Sequence, residues 1–137
     1  MKLDQDIYSR CLATAKGYYR DIRRKKEIER EIIQASKKPP DGLPKGSMRG
    51  DETARKAERI IAKQSEIERR IAAVERAWLD CGNRQEQEFI KKNLFEGVQM
   101  WQIYILLPDT GAAMSERTMK RYRKKFLCRL ADYLHEI

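Results

Sequence analysis

The strongest constraint on this sequence is a stripe. From Ala57 through Ile60, Gln64, Ile67, Ile71 and Val74 to Trp78, the positions advance in alternating steps of three and four residues. Side chains spaced in that way line one side of an α-helix, at the a and d positions of a heptad repeat. Just upstream, the segment KKPPDGLPKGSMRGD (37–51) gathers three of the four prolines and three of the seven glycines. Proline withdraws a backbone donor and glycine resists ordering, so no helix is expected to run through this segment. Asp51 is then expected to cap the striped helix, with Glu52 in its first turn.

A stripe of this kind must be covered, and two coverings fit. In a parallel pair of chains, Lys63 would face Glu68 and Arg70 would face Glu75 of the second copy. Ile60, Ile67, Ile71, Val74 and Trp78 would then be the self-association residues of a dimer or tetramer. Alternatively, the linker lets the first helix fold back on the second as an antiparallel hairpin within one chain. That first helix is expected over residues 1–37, which hold no proline and a single glycine. Its apolar positions are Cys11, Ala15, Tyr18 and Ile22, then Ile28, Ile32 and Ala35, and the stripe loses its step at the intervening Arg23, Arg24, Lys25 and Lys26.

The chain therefore divides into an N-terminal helix (1–37), a Pro/Gly linker (38–52), a coiled-coil or oligomerisation helix (53–81) and a C-terminal unit (82–137). In the last of these, Gly82 closes one helix, and Asn83 with Glu86 reads as a capping box opening the next. That helix, 84–96, buries Phe89, Ile90 and Leu94 and ends at Gly97. The run VQMWQIYILLP reads as a short buried helix over 99–107, with Trp101 in the core; its near-continuous apolarity also fits a strand. Ser115 caps the final helix, whose apolar face is Met119, Tyr122, Phe126, Leu127, Leu130, Tyr133, Leu134 and Ile137. The fold class is all-α: long helices, as hairpin or coiled coil, followed by a three-helix helix-turn-helix unit.

Charge points to a partner. Thirty Lys and Arg stand against 21 Asp and Glu, a formal net charge of +9 that favours an anionic surface such as nucleic acid. The cations concentrate early in the final helix, off its apolar face. In a major groove, Arg117 and Arg121 would donate to guanine and Thr118 would meet a thymine methyl. Lys120, Arg123, Lys124 and Lys125 would neutralise phosphates, and Ser115 would bring the helix-start amides to one.

Other classes find little support. The sequence has no run of ~18 apolar residues and no signal-peptide-like start, so a cytoplasmic protein without membrane association is expected. Cys11, Cys81 and Cys128 are too dispersed for a disulfide framework or zinc site. His135 stands alone near the end of the sequence, and no glycine loop or metal-ligand spacing occurs. No catalytic residue, cofactor, metal or small-molecule substrate is therefore expected.

The segments NRQEQEFIKKNLFEG, Trp101 and MSERTMKRYRKKFLCRLADYL together resemble the C-terminal helix-turn-helix of phage-encoded late transcriptional regulators of the RinA/ArpU-like group, themselves similar to sigma factor region 4. PPDGLPKGSMRGDETARKAERI is similar to their Pro-Gly-rich segment and following helix, so the resemblance covers about residues 37–137. It implies sequence-specific binding of double-stranded DNA near a phage promoter in a bacterial host. It also implies late-gene activation, contact with host RNA polymerase, and Ser115, Arg117, Thr118, Lys120 and Arg121 as recognition positions. The connection Pro108–Met114 is longer than the family's usual turn. A terminase small subunit and a non-enzymatic coiled-coil adaptor remain alternatives.

Overall fold

Apolar residues at helical spacing need partners to cover them, and the computed structural model, which describes residues 3–36, 47–107 and 111–135, shows which partners they find. The helices are α1 (Gln5–Lys16), α2 (Tyr18–Ser36), α3 (Ser47–Leu79), α4 (Arg84–Ile90) and α5 (Glu116–Tyr133). A π-helical turn, Lys91–Phe95, continues α4, and a 3₁₀ turn covers Met100–Gln102. The fold is all-α, and no helix among the described residues is long and apolar enough to cross a membrane.

The expected N-terminal helix is two helices meeting at Gly17. The backbone bonds Gly17 N to Ala13 O (3.0 Å) and Asp21 N to Gly17 O (2.8 Å) carry across the junction. A Cβ on Gly17 would stand 2.8 Å from the Arg20 guanidinium and 3.2 Å from the Ala13 carbonyl, so glycine permits the close approach there. The break in the stripe at Arg23–Lys26 has a tertiary counterpart. Cys11 and Ala15 sit in the main core with the C-terminal elements, whereas Ile28 joins Ile67 and Ile71 in a separate small cluster between α2 and α3.

The heptad stripe is thus covered from within the chain. Ile67, Ile71 and Val74 are buried by α2 and the C-terminal elements, and Ile60 and Gln64 are half-buried. Ala57, at the outer end, is exposed. Arg70, expected to face Glu75 of a second copy, instead forms a two-pronged ion pair with the buried Asp21 of α2, Nε to Oδ2 at 3.1 Å and Nη2 to Oδ1 at 3.2 Å. Glu75 accepts from the Tyr18 hydroxyl at 2.8 Å. The Trp78 indole nitrogen donates to the Gln87 carbonyl at 2.9 Å and fastens α3 to α4. Within the chain, α2 lies antiparallel on α3 and brings it an ion pair as well as apolar cover.

Two further boundaries differ from expectation. Helix α3 begins at Ser47 and runs through Gly50, so Asp51 lies inside it and not at its N-cap. Glycine costs a helix only about 1 kcal/mol relative to alanine, and the linker prolines 39, 40 and 44 all precede Ser47. Residues 37–46 lie outside the described residues. The segment 99–107 is not a helix: after the 3₁₀ turn it is extended, with Leu106 bridged antiparallel to Ala113. Leu107 N donates to Ala112 O (2.8 Å) and Met114 N to Ile105 O (2.8 Å). Its strand partner is the return limb of its own loop, so alternate side chains, Ile103 and Ile105, turn inward while Tyr104 and Leu106 turn out. The C-terminal unit is accordingly two helical elements joined by an extended loop, in place of three helices.

Candidate nucleic-acid interface

Helix α5 is placed by its apolar face and by polar clamps at both ends. Met119, Tyr122, Phe126, Leu127 and Leu130 are buried as the spacing requires, and Ala131 joins them; Leu134, just beyond the helix, is buried too. Tyr133 is half-buried, and Ile137 lies outside the described residues. Ser115 is the N-cap, its hydroxyl accepting from Thr118 N at 3.2 Å. At the other end Arg69 of α3 donates to the Leu134 carbonyl at 3.3 Å, and the Tyr133 hydroxyl meets the Asp80 carboxylate.

One buried carboxylate sets α5 against its neighbours. Asn83 caps α4, accepting from Glu86 N at 2.8 Å, as the capping-box reading requires. The Glu86 side chain does not reach back to the Asn83 amide. It accepts from Gly82 N at 3.1 Å and from the Arg129 guanidinium of α5 at 3.0 Å. Glu86 is 1% exposed, and Arg129 also lies 3.7 Å from the Cys81 sulfur. Burial, with the Glu86 carboxylate beside it, pushes the Cys81 thiol up to about 12. The end of α3, the start of α4 and the middle of α5 thus share one ionic centre.

With its back fixed, α5 shows solvent a cationic front. Arg117, Lys120, Arg121, Lys124 and Lys125 are all exposed. Arg117, Arg121 and Lys124 or Lys125 follow one another at one-turn spacing along one side of the helix. Lys120 pairs with Glu116 at 3.1 Å; with both side chains about two-thirds exposed or more, this pair restrains the ammonium only weakly. The Arg121 guanidinium rests 5.8 Å from the Tyr122 ring centroid, which limits its freedom without removing it from solvent.

Three expected interface residues stand differently from these exposed cations. The Ser115 and Thr118 hydroxyls lie 2.9 Å apart and close the cap on each other, so both face the helix start. Arg123 is half-buried on the other side of the helix from Arg121, and its Nε is enclosed without a hydrogen-bond partner. A phosphate approaching the front of α5 does not meet that nitrogen. The residues that share Arg123's surroundings, Lys16 of α1 and Asn93 of the π-helical turn, line a cavity of about 340 Å³ with it. They are distant in sequence, and no spacing announces them. Trp101, expected in the core, is 75% exposed.

Among the described residues no group of three or more His, Cys, Asp or Glu is placed to hold a metal ion. Comparison with protein-family models, curated proteins and solved structures returns no match for this chain.

Proposed function

We propose that the chain is a sequence-specific, double-stranded-DNA-binding transcriptional regulator that lays the first turns of α5 in the major groove. The observation that carries this reading is the division of α5 into a fully committed apolar back and an exposed front of five cations. Mutual repulsion among them opposes folding, and an anionic partner offsets it. The helix is about 27 Å long, and a helix with its side chains fits the width of the B-DNA major groove. Arg117 and Arg121 are the base-reading candidates; Lys120, Lys124 and Lys125 neutralise flanking phosphates. Arg123 leaves the set, and Ser115 and Thr118 act by capping the helix whose amides approach the backbone.

The extended loop between α4 and α5 makes the geometry a variant of helix-turn-helix, with α4 and its π-helical turn as the supporting element. In this reading the resemblance to phage late regulators supplies the setting: a promoter in a bacterial host, with RNA polymerase as a neighbour. A homo-oligomer also belongs to the proposal, and it would use surface other than the buried Ile67, Ile71 and Val74.

Selection of bound duplexes from a random pool, followed by titration of the preferred site at increasing salt, tests the reading. With ~6 phosphate contacts, affinity is expected to fall about a thousandfold between 50 and 200 mM salt. Recovery of no consensus, together with a flat salt response, would reject it. Inverted half-sites about one helical turn apart would indicate a symmetric dimer.

A further inference from the structure

Polar atoms enclosed in a protein find partners, and an enclosed atom without one marks a place where a partner is missing. Among the described residues two side-chain atoms stand in that position, Asn93 Oδ1 and Arg123 Nε. Asn93 is 8% exposed, and its Nδ2 donates to the Val98 carbonyl at 3.0 Å, which fixes the amide and leaves Oδ1 as the free acceptor. Both residues line the cavity of about 340 Å³ beside Lys16, and both also line a second, of about 430 Å³, beside Trp101 and Tyr104. These volumes are in the range of small-ligand sites.

The two orphan atoms select the chemistry. Arg123 Nε requires an acceptor, whereas Asn93 Oδ1 requires a donor and repels an anion. A bare phosphate suits the first and not the second. A flat group carrying an N–H next to a carbonyl suits both. The rim adds two features. Trp101 in the 3₁₀ turn and Tyr104 just after it are 75% and 77% exposed, large rings held out from the surface. Lys120, Lys124 and Arg123 line a neighbouring hollow of about 480 Å³ on the same flank of α5. Aromatic faces beside cations form the arrangement that holds unpaired nucleotides, stacking the base and neutralising its phosphate.

We infer that the cavity between the 100–107 segment and α5 takes one unpaired nucleobase of the imide type, thymine or guanine, stacked on Trp101 or Tyr104, with the Asn93 and Arg123 side chains turning to bring Oδ1 and Nε to it. The inference rests on the proposed DNA-binding reading and deepens it. Such a protein holds duplex on the front of α5 and an unstacked base on its flank. It would therefore prefer DNA that is opened or distorted next to its site. Lys120 and Lys124 join the two surfaces, because they belong to the front and also line the flanking hollow.

The test compares the full chain binding a single-stranded oligothymidylate and an abasic strand of the same length. Stacking on one aromatic residue is expected to make the base-bearing strand bind about 10-fold tighter and to quench Trp101 emission. Trp101→Ala combined with Tyr104→Ala, both at exposed positions, should reduce oligothymidylate affinity to the abasic level without disturbing the fold. Asn93→Leu should lower it in part, and if that variant does not fold, the double alanine variant decides. Equal affinity for the two strands, with salt-dependent duplex binding intact, would overturn this inference and leave the proposed function standing. Absence of binding to either strand and to duplex would overturn both.

Discussion

Glu86 offers the sharpest perturbation of this fold. Its carboxylate is nearly inaccessible, and it joins Gly82 at the α3–α4 turn to Arg129 in α5. In Glu86→Ala the Gly82 amide loses its acceptor, and the largely buried guanidinium keeps only the weak contact to the Cys81 sulfur. Each orphaned group costs about 1–3 kcal/mol, and breaking a buried pair from one side costs about 3–5 kcal/mol in all. For a chain of this size that corresponds to a fall in melting temperature of about 10–17 °C. Glu86→Gln keeps the volume and one acceptor oxygen while losing the charge, and should cost only about 1–2 kcal/mol. Urea unfolding followed by circular dichroism reads both, the midpoint moving while the slope stays constant. A double-mutant cycle with Arg129→Met should return a coupling of at least about 1 kcal/mol. If Glu86→Ala melts within about 2 °C of the parent, the ionic centre is not what sets α5 against α3 and α4.

Other expectations follow from the same geometry. Arg121→Ala should weaken preferred-duplex binding by about 1–3 kcal/mol and relax discrimination at one base pair, as read by competition with single-base variants of the site; an unchanged binding curve removes Arg121 from the interface. Ile67→Ala should destabilise the α2–α3 arm by about 2–4 kcal/mol, whereas Ile61→Ala, at a side chain 60% exposed, should stay within about 0.5 kcal/mol; equal effects in hydrogen exchange of the arm would contradict the intrachain hairpin. Stability should also decline in alkali. The fold holds the Cys81 thiol protonated, raised from 9.0 to about 12, so its contribution is complete below pH 9.0 and is lost as pH climbs toward 12. Burial and donation to Glu75 raise Tyr18 in the same sense. Urea midpoints that do not fall over this window would show that neither proton matters to the fold.

The helical periods, the caps at Asn83 and Ser115, and the division of α5 into apolar and cationic sides were legible in the residues alone. Each depends on neighbours no more than one or two turns away, which a sequence displays directly. Whether the stripe Ile67–Val74 would be met by another chain or by α2 was not legible, because a and d positions state only that cover is needed. The cover that α2 gives is fixed by Asp21, whose carboxylate lies where Arg70 can grip it with both prongs, a match between residues on separate helices. The extended run 103–107 was not legible for a related reason: a continuous apolar segment becomes strand or helix according to what lies opposite, and only the folded loop places Ala112 and Met114 there. The orphan pair Asn93 and Arg123 belongs entirely to tertiary structure, since burial is what makes a missing hydrogen bond costly. Local chemistry thus determined which faces of this protein had to be hidden and where its charge would stand. The three-dimensional arrangement decided what hides them, and which polar atoms were left waiting for a partner, because contact and dielectric are properties of neighbours in space rather than in sequence.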